Sequence, residues 1–295
     1  MHHHHHHSVP TSNKAFLIGA TINIAYVIIE AIFGFLSNSL SLLADAGHNF
    51  SDVLILLLAW GANILASVKP TPNHTYGYRR ATILAALVSG ITLVITMGLI
   101  AIEAIKRLNT VAQEPDSLTI IIVANVGIVI NFITAALFVH DKDNDLNVKG
   151  AFLHMLADGL VSVAVVIGGI VIYFTHWQLI DPALSLLIII VIAISSWGLV
   201  KDSFNLSVDA VPNNIDIESI RKYLLNLPDV NEIHDLHVWA MSTTEVALTA
   251  HLLRDSPNID DDLLHKAAKD LKEQFGVHHS TIQVENGHCQ LHCQD

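Results

Sequence analysis

Two histidine–aspartate pairs stand in stretches where ionisable residues are costly. LLADAGHNFSD (42–52) puts His48 four residues before Asp52 and runs straight on into the apolar VLILLLAWGANILA. Further along, GAFLHMLADGLVSVAVVIGG puts His154 four residues before Asp158. On an α-helix that spacing stacks both side chains on one face. Two such faces brought together offer two imidazoles and two carboxylates, a closed tetrahedral nitrogen and oxygen set. It suits Zn²⁺ better than Mg²⁺ or Ca²⁺, and leaves Co²⁺ and Cd²⁺ open. One His-x-x-x-Asp is a weak signal. Two in apolar stretches are strong, because charged groups at membrane depth usually mark an ion pathway. The plainer alternative is that each pair is an interhelical hydrogen bond that helps helices pack. Asp45, one turn before His48, reads as a supporting or access group.

Charge counting extends the argument. Zinc with two ionised aspartates and two neutral histidines is neutral, whereas the same groups without it leave two uncompensated negative charges in a low dielectric. Protons should enter as zinc leaves, and histidine titrates in the range that allows it. Metal and proton then compete for the same nitrogens. That is the core of a zinc/proton antiporter, if the helices expose the site to each side in turn. An intramembrane hydrolase would need an open zinc position, and the His-Glu-x-x-His signature is absent from the sequence. A membrane zinc sensor that binds without transporting stays open. A phosphate-loop pump is disfavoured, since no G-x-x-x-x-G-K-[ST] occurs.

The elements that must position these pairs are legible in the hydropathy. The chain has 295 residues, 52% hydrophobic and only 14% charged. MHHHHHH at the start has the form of an expression tag, and residues 1–13 are set aside. Six apolar runs of the length needed to cross a bilayer fall at roughly 15–36, 40–66, 81–108, 117–139, 150–174 and 182–205. Lys14, Lys69, Arg79, Arg80, Lys142, Lys149 and Lys201 fall on one side of these runs, and Lys106 and Arg107 on the other. That bias predicts both termini in the cytoplasm, with residues 14–205 as the transmembrane transport domain. Asn23, Glu30, Asn125 and Asn131 are read as interhelical hydrogen-bonding groups.

From Leu206 the composition changes, and residues 206–295 hold 15 acidic and 6 basic residues. Such a face attracts cations and repels phosphate backbones, so nucleic acid is not expected as a partner. Segments with helical, strand, strand, helical and strand periodicity follow, predicting a small α-β-β-α-β domain of two layers. His234 and His251 fall on neighbouring strands, His278 and Glu285 on the last, and the tail ENGHCQLHCQD adds Cys289 and Cys293. In a reducing cytoplasm, imidazole with thiolate points to zinc rather than a disulfide. The alternative is that His234 and His237 are half-buried strand residues and the tail binds nothing.

Several stretches together resemble the cation diffusion facilitator family of metal transporters. They are Asn23, Glu30, Gly34, Ser39, Leu40, Leu43, Ala44, Asp45, His48 and Asp52; YGYRR (76–80); HMLADGLVS (154–162); IDP (180–182); VDAVP (208–212); and HDLHVWAM (234–241). The likeness runs over essentially the whole chain after the tag. It implies a homodimer in the lipid bilayer, with six helices per protomer and a ferredoxin-like, metallochaperone-like cytoplasmic domain. It also implies a transport site at His48, Asp52, His154 and Asp158, of the zinc-preferring His/Asp form, exporting metal against protons. Cytoplasmic zinc sites at His234, His251, His278 and Glu285, a loop site at His74, and tail ligands at Cys289 and Cys293 are implied by the same resemblance. Here the tail spacing is Cys-x-x-x-Cys, where some animal members have Cys-x-x-Cys. The loop between runs four and five is only DKDNDLN, without the histidine-rich insert of many eukaryotic members, which favours a bacterial inner membrane.

Overall fold

The apolar runs become six helices in a computed structural model that describes residues 11–110, 115–138, 146–255 and 261–286. They are α1 (Thr11–Leu36), α2 (Leu40–Ala66), α3 (Ala81–Asn109), α4 (Ser117–Phe138), α5 (Leu146–Thr175) and α6 (Ile180–Ser207). Helix α5 starts four residues before its apolar run. Helix α6 starts two residues early, with Pro182 in its first turn, where a missing N–H costs nothing. Among the described residues, four helices are long and apolar enough to cross a membrane: Ala81–Asn109, Ser117–Ala136, His154–Thr175 and Ile180–Ser207. The described apolar part of α1, Thr21–Leu36, is shorter. Leu99, Ile122, Leu160 and Ile194 lie exposed along these helices, as a lipid-facing surface requires.

The chain divides into two compact units, one of residues up to Leu56 with Ser89–Trp197, the other of Leu57–Val88 with Gly198 onward. The first is built round a buried cluster that includes Tyr26, Leu42, Leu93, Met97, Ile120, Val165, Ile172 and Ile188. Between α1 and α2 the chain turns through Asn38 at φ +57°, a left-handed conformation that asparagine tolerates better than most residues. Arg107 of α3 holds that turn, donating to the Asn38 carbonyl at 2.7 Å and to its Oδ1 at 2.8 Å. Helices α1 and α4 meet at Gly127, where a Cβ would lie 2.1 Å from the Tyr26 hydroxyl. Only a glycine admits the buried ring there. Gly127→Ala is expected to destabilise the helical unit by about 1–3 kcal/mol, the usual range for overpacking. Thermal unfolding in detergent or nanodiscs checks this.

The second unit carries α7 (Ile217–Leu225), β1 (Val230–Ala240), β2 (Val246–Arg254), α8 (Asp261–Phe275) and β3 (Val277–Glu285). The predicted α-β-β-α-β order is what forms. Strand order is β1-β2-β3, with β1 and β2 antiparallel and β2 and β3 parallel. A parallel neighbour needs a crossover, and α8 supplies it. Ile220 and Leu224 of α7 and Leu263, Ala267 and Leu271 of α8 pack on Val238, Leu248, Ala250 and Leu252 of the sheet.

Asp216 caps α7, accepting from the Glu218 and Ser219 amides and from the Ser219 hydroxyl. The hydrogen bonds from Ser219, ahead of that from Glu218, hold its carboxyl below the usual carboxylate range. A folded pKa below the unfolded one means the cap stabilises above the ordinary carboxylate pKa of about 4 and is lost as pH falls through the lowered value. Amide exchange at Ser219 should therefore accelerate, relative to its intrinsic rate, below about pH 4.

Within this unit the loop after α2 joins the sheet. Arg79 donates to Glu245 at 2.7 Å, Arg80 pairs with Asp209, and the Thr243 amide donates to Thr82 Oγ1 at 3.1 Å. These contacts explain why Leu57–Val88, membrane-like by composition, clusters with residues from Gly198 onward.

Candidate metal centre

Helical periodicity does what the spacing predicts: α2 turns His48 and Asp52 toward α5, and α5 turns His154 and Asp158 toward α2. His48 Nε2 lies 3.7 Å from Asp52 Oδ2 and 3.6 Å from Asp158 Oδ1. His154 Nε2 lies 3.2 Å from Asp52 Oδ2 and 3.6 Å from Asp158 Oδ2. The two imidazoles meet edge to face with centroids 6.0 Å apart. A tetrahedral ion with bonds of about 2.0–2.1 Å holds its ligand atoms about 3.3–3.4 Å apart; Asp52, His154 and Asp158 bring their ligand atoms within 4.8 Å of one another, and His48 stands beside them, 3.6–3.7 Å from the two carboxylates. Asp52 Oδ2 is buried and accepts no aligned hydrogen bond although His154 Nε2 is near. A buried carboxylate oxygen left without an aligned donor between two imidazoles fits a metal ligand. Exposure rises from 3% at Asp158 through 13% at His48 and 26% at Asp52 to 39% at His154, so the site opens on the His154 side.

A second polar layer lies behind the ligands, with Glu30, Asp45 and Ser162 fully buried. Tyr26 donates to Glu30 Oε1 at 2.8 Å, and Asn49 reaches Glu30 Oε2 at 3.4 Å and Asp45 Oδ1 at 3.5 Å. Ser162 donates to Asp45 Oδ2 at 3.1 Å, tying α5 to α2. Asp45 is thus held within this buried hydrogen-bonded network.

Asp181 is the group that sequence reasoning missed. It was legible only as part of the IDP stretch, yet it is 1% exposed and accepts at the start of α2 from four donors. They are Ser39 Oγ at 2.7 Å, the Leu40 amide at 2.6 Å, the Ser41 amide at 3.2 Å and Ser41 Oγ at 2.6 Å. A carboxylate from α6 thereby caps the positive end of the helix that carries His48 and Asp52.

In the sheet, His234 and His251 are cross-strand partners, with rings edge to face at 5.2 Å. His234 Nε2 lies 3.2 Å from Glu285 Oε2, and His251 Nδ1 lies 2.9 Å from Glu285 Oε1. Both nitrogens are buried and neither has an aligned hydrogen-bond partner. Two imidazoles and a carboxylate with such orphaned donor atoms fit a zinc ion. His278 does not join them. It lies at the other end of β3 from Glu285, about 23 Å away at strand rise, and accepts from the Val246 amide at 3.4 Å. One ion cannot use both ends of the strand, so the four residues grouped by the resemblance divide into a cluster of three and a separate histidine.

His74 is exposed in the loop after α2. Its backbone pairs with Thr71 and its ring lies 4.5 Å from that of Tyr78. It lines an open cavity of about 870 Å³ with Tyr76, Arg79, Asp209, His237 and Trp239. Cys289 and Cys293 lie outside the described residues.

Known proteins match most of the chain. Residues 16–206 match the cation efflux transmembrane domain, and residues 212–287 match the cytoplasmic domain of cation efflux proteins. Zinc transporter ZitB of Escherichia coli (strain K12) is 35% identical over 292 residues, spanning 98% of this chain and 93% of its own length. The "Cadmium, cobalt and zinc/H(+)-K(+) antiporter" of Bacillus subtilis (strain 168) is 35% identical over 279 residues, spanning 93% and 89%. A solved structure, the metal-bound C-terminal domain of the CzcD transporter from Cuprividus metallidurans, is 32% identical, covers 24% of this chain and 99% of its own, and has a TM-score of 0.22. By the transmembrane match and the length of these alignments, the chain belongs to the cation efflux, or cation diffusion facilitator, family.

Proposed function

We propose that this chain is a secondary active transporter, not an enzyme, that moves Zn²⁺ from the cytoplasm across the membrane in exchange for protons. Co²⁺ and Cd²⁺ are further candidate substrates. The observation that carries the reading is the gathering of Asp52, His154 and Asp158, with ligand atoms within 4.8 Å of one another, and of His48 at 3.6–3.7 Å from both carboxylates. Its similarity to a zinc transporter and to a cadmium, cobalt and zinc/H(+)-K(+) antiporter supports it. The charge argument supplies the coupling: two aspartates in a low dielectric are neutralised by one zinc ion or by protons on the same site, so each form of the carrier crosses without net unpaired charge.

The topology follows the same reading. Residues 14–205 form the transmembrane domain with six spans, and residues 206–295 form the cytoplasmic domain, both termini being cytoplasmic. The positions of the basic residues and the family match support that arrangement, in a bacterial inner membrane. The protein works as a homodimer, consistent with the family of its cytoplasmic domain. His234, His251 and Glu285 hold a structural or regulatory zinc, while His278, His74, Cys289 and Cys293 are secondary candidates.

Zinc uptake into proteoliposomes with an imposed pH gradient tests this. Accumulation should follow the gradient and stop when a protonophore collapses it. Zinc that binds without crossing would make the chain a membrane zinc sensor instead.

A further inference from the structure

A histidine can ligate through either ring nitrogen, and in the cytoplasmic cluster only Nδ1 of His251 faces Glu285, at 2.9 Å. Its Nε2 faces the carboxylate of Asp235, with Oδ2 3.5 Å away. That placement is not what a regular strand gives. Neighbours on a strand point to opposite faces, so Asp235 should turn away from both His234 and its cross-strand partner His251. Between His234 and His237, however, the register with β2 shifts, and Asp235 sits at φ +54°. An extra residue bulges out of β1 and re-aims the carboxylate. A left-handed conformation at a non-glycine residue is strained and persists where surrounding contacts hold it, often at functional sites. Here the second contact is His237, whose Nε2 donates to Asp235 Oδ1 at 2.8 Å.

We propose that Asp235 is a positioning residue: it receives the Nε2 hydrogen of His251, keeps Nδ1 free for zinc, and is itself held by His237. The inference rests on reading His234, His251 and Glu285 as a zinc site. Ligating histidines commonly pass their other N–H to a carboxylate, and removing that partner lowers metal affinity roughly 10–100-fold. Its placement also accounts for the bulge, which would otherwise be strain without a use.

The test separates the carboxylate from the turn. Asparagine tolerates a left-handed φ at least as well as aspartate but carries no charge. Zinc alone is titrated against a chromophoric competitor, using the full chain in nanodiscs with Asp52→Ala present to silence the intramembrane site. His234→Ala serves as the reference for losing the cluster. Asp235→Asn should weaken the cluster's affinity roughly tenfold or more, and Asp235→Ala further. His237→Ala, at an exposed position, should give a smaller loss in the same direction. If His234→Ala lowers affinity while Asp235→Asn binds as the parent does, Asp235 serves the bulge alone and the proposal is overturned. If His234→Ala changes nothing, the zinc-site reading itself falls, and this inference with it.

Discussion

Proton-driven zinc accumulation should fall by on the order of 100-fold or more when Asp52 is replaced by alanine, while the protein stays folded and in the membrane. Asp52 Oδ2 faces both histidines through one oxygen, at 3.7 Å from His48 and 3.2 Å from His154. Removing it opens the closed four-donor set and takes away one of the two negative charges that neutralise the ion. Asp52 is 26% exposed, so truncation leaves little void, and a loss of transport is not a loss of fold. Measurement is by zinc flux in proteoliposomes at a fixed pH gradient, with protein amount normalised. Asp52→Asn keeps the size and should fail nearly as completely, because a neutral amide supplies one oxygen and no charge. Transport undiminished in either variant would send the ion by another route.

Asp181→Ala should be the most destabilising single change in the helical unit, at about 3 kcal/mol. Its carboxylate is the acceptor for two backbone amides and two hydroxyls at the head of α2, and the residue is almost wholly buried. Alanine leaves the Leu40 and Ser41 amides without that partner in a place water reaches poorly, and a buried orphaned donor costs its full desolvation. Asp181→Asn should lie between, since one acceptor oxygen survives while the new amide hydrogens face the Ser and backbone donors. Thermal unfolding of both variants in nanodiscs reads the effect. An unchanged midpoint for Asp181→Ala would mean that water or the Ser39 and Ser41 hydroxyls satisfy the helix end without it.

The reach of the sequence in this chain follows from how far apart the partners lie. His48 and Asp52, or His154 and Asp158, share a face through a single helical turn, so four residues of sequence are enough to show the pair. The joining of the two pairs was an inference from chemistry, since their helices lie about a hundred residues apart. Asp181 was not legible because its four donors lie around position 40 and nothing in the IDP stretch points there. Gly127 was silent for the same reason, its role being set by Tyr26 on another helix. In the sheet, alternation predicted the strands but not the bulge at Asp235, which departs from alternation by its nature. His278 and Glu285 stand together in any search for zinc-binding residue types, yet one strand length separates them.

The hydrogen bond from Ser162 to Asp45 bears on how such a protein can work. It crosses between α5 and α2 one turn beyond the aspartate ligand of α5, with Asp45 buried at 0%. Prying those two helices apart would break this rivet as well as the ligand set. A passenger released by that route would have to pay for both. A motion that carries α2 and α5 together leaves both intact.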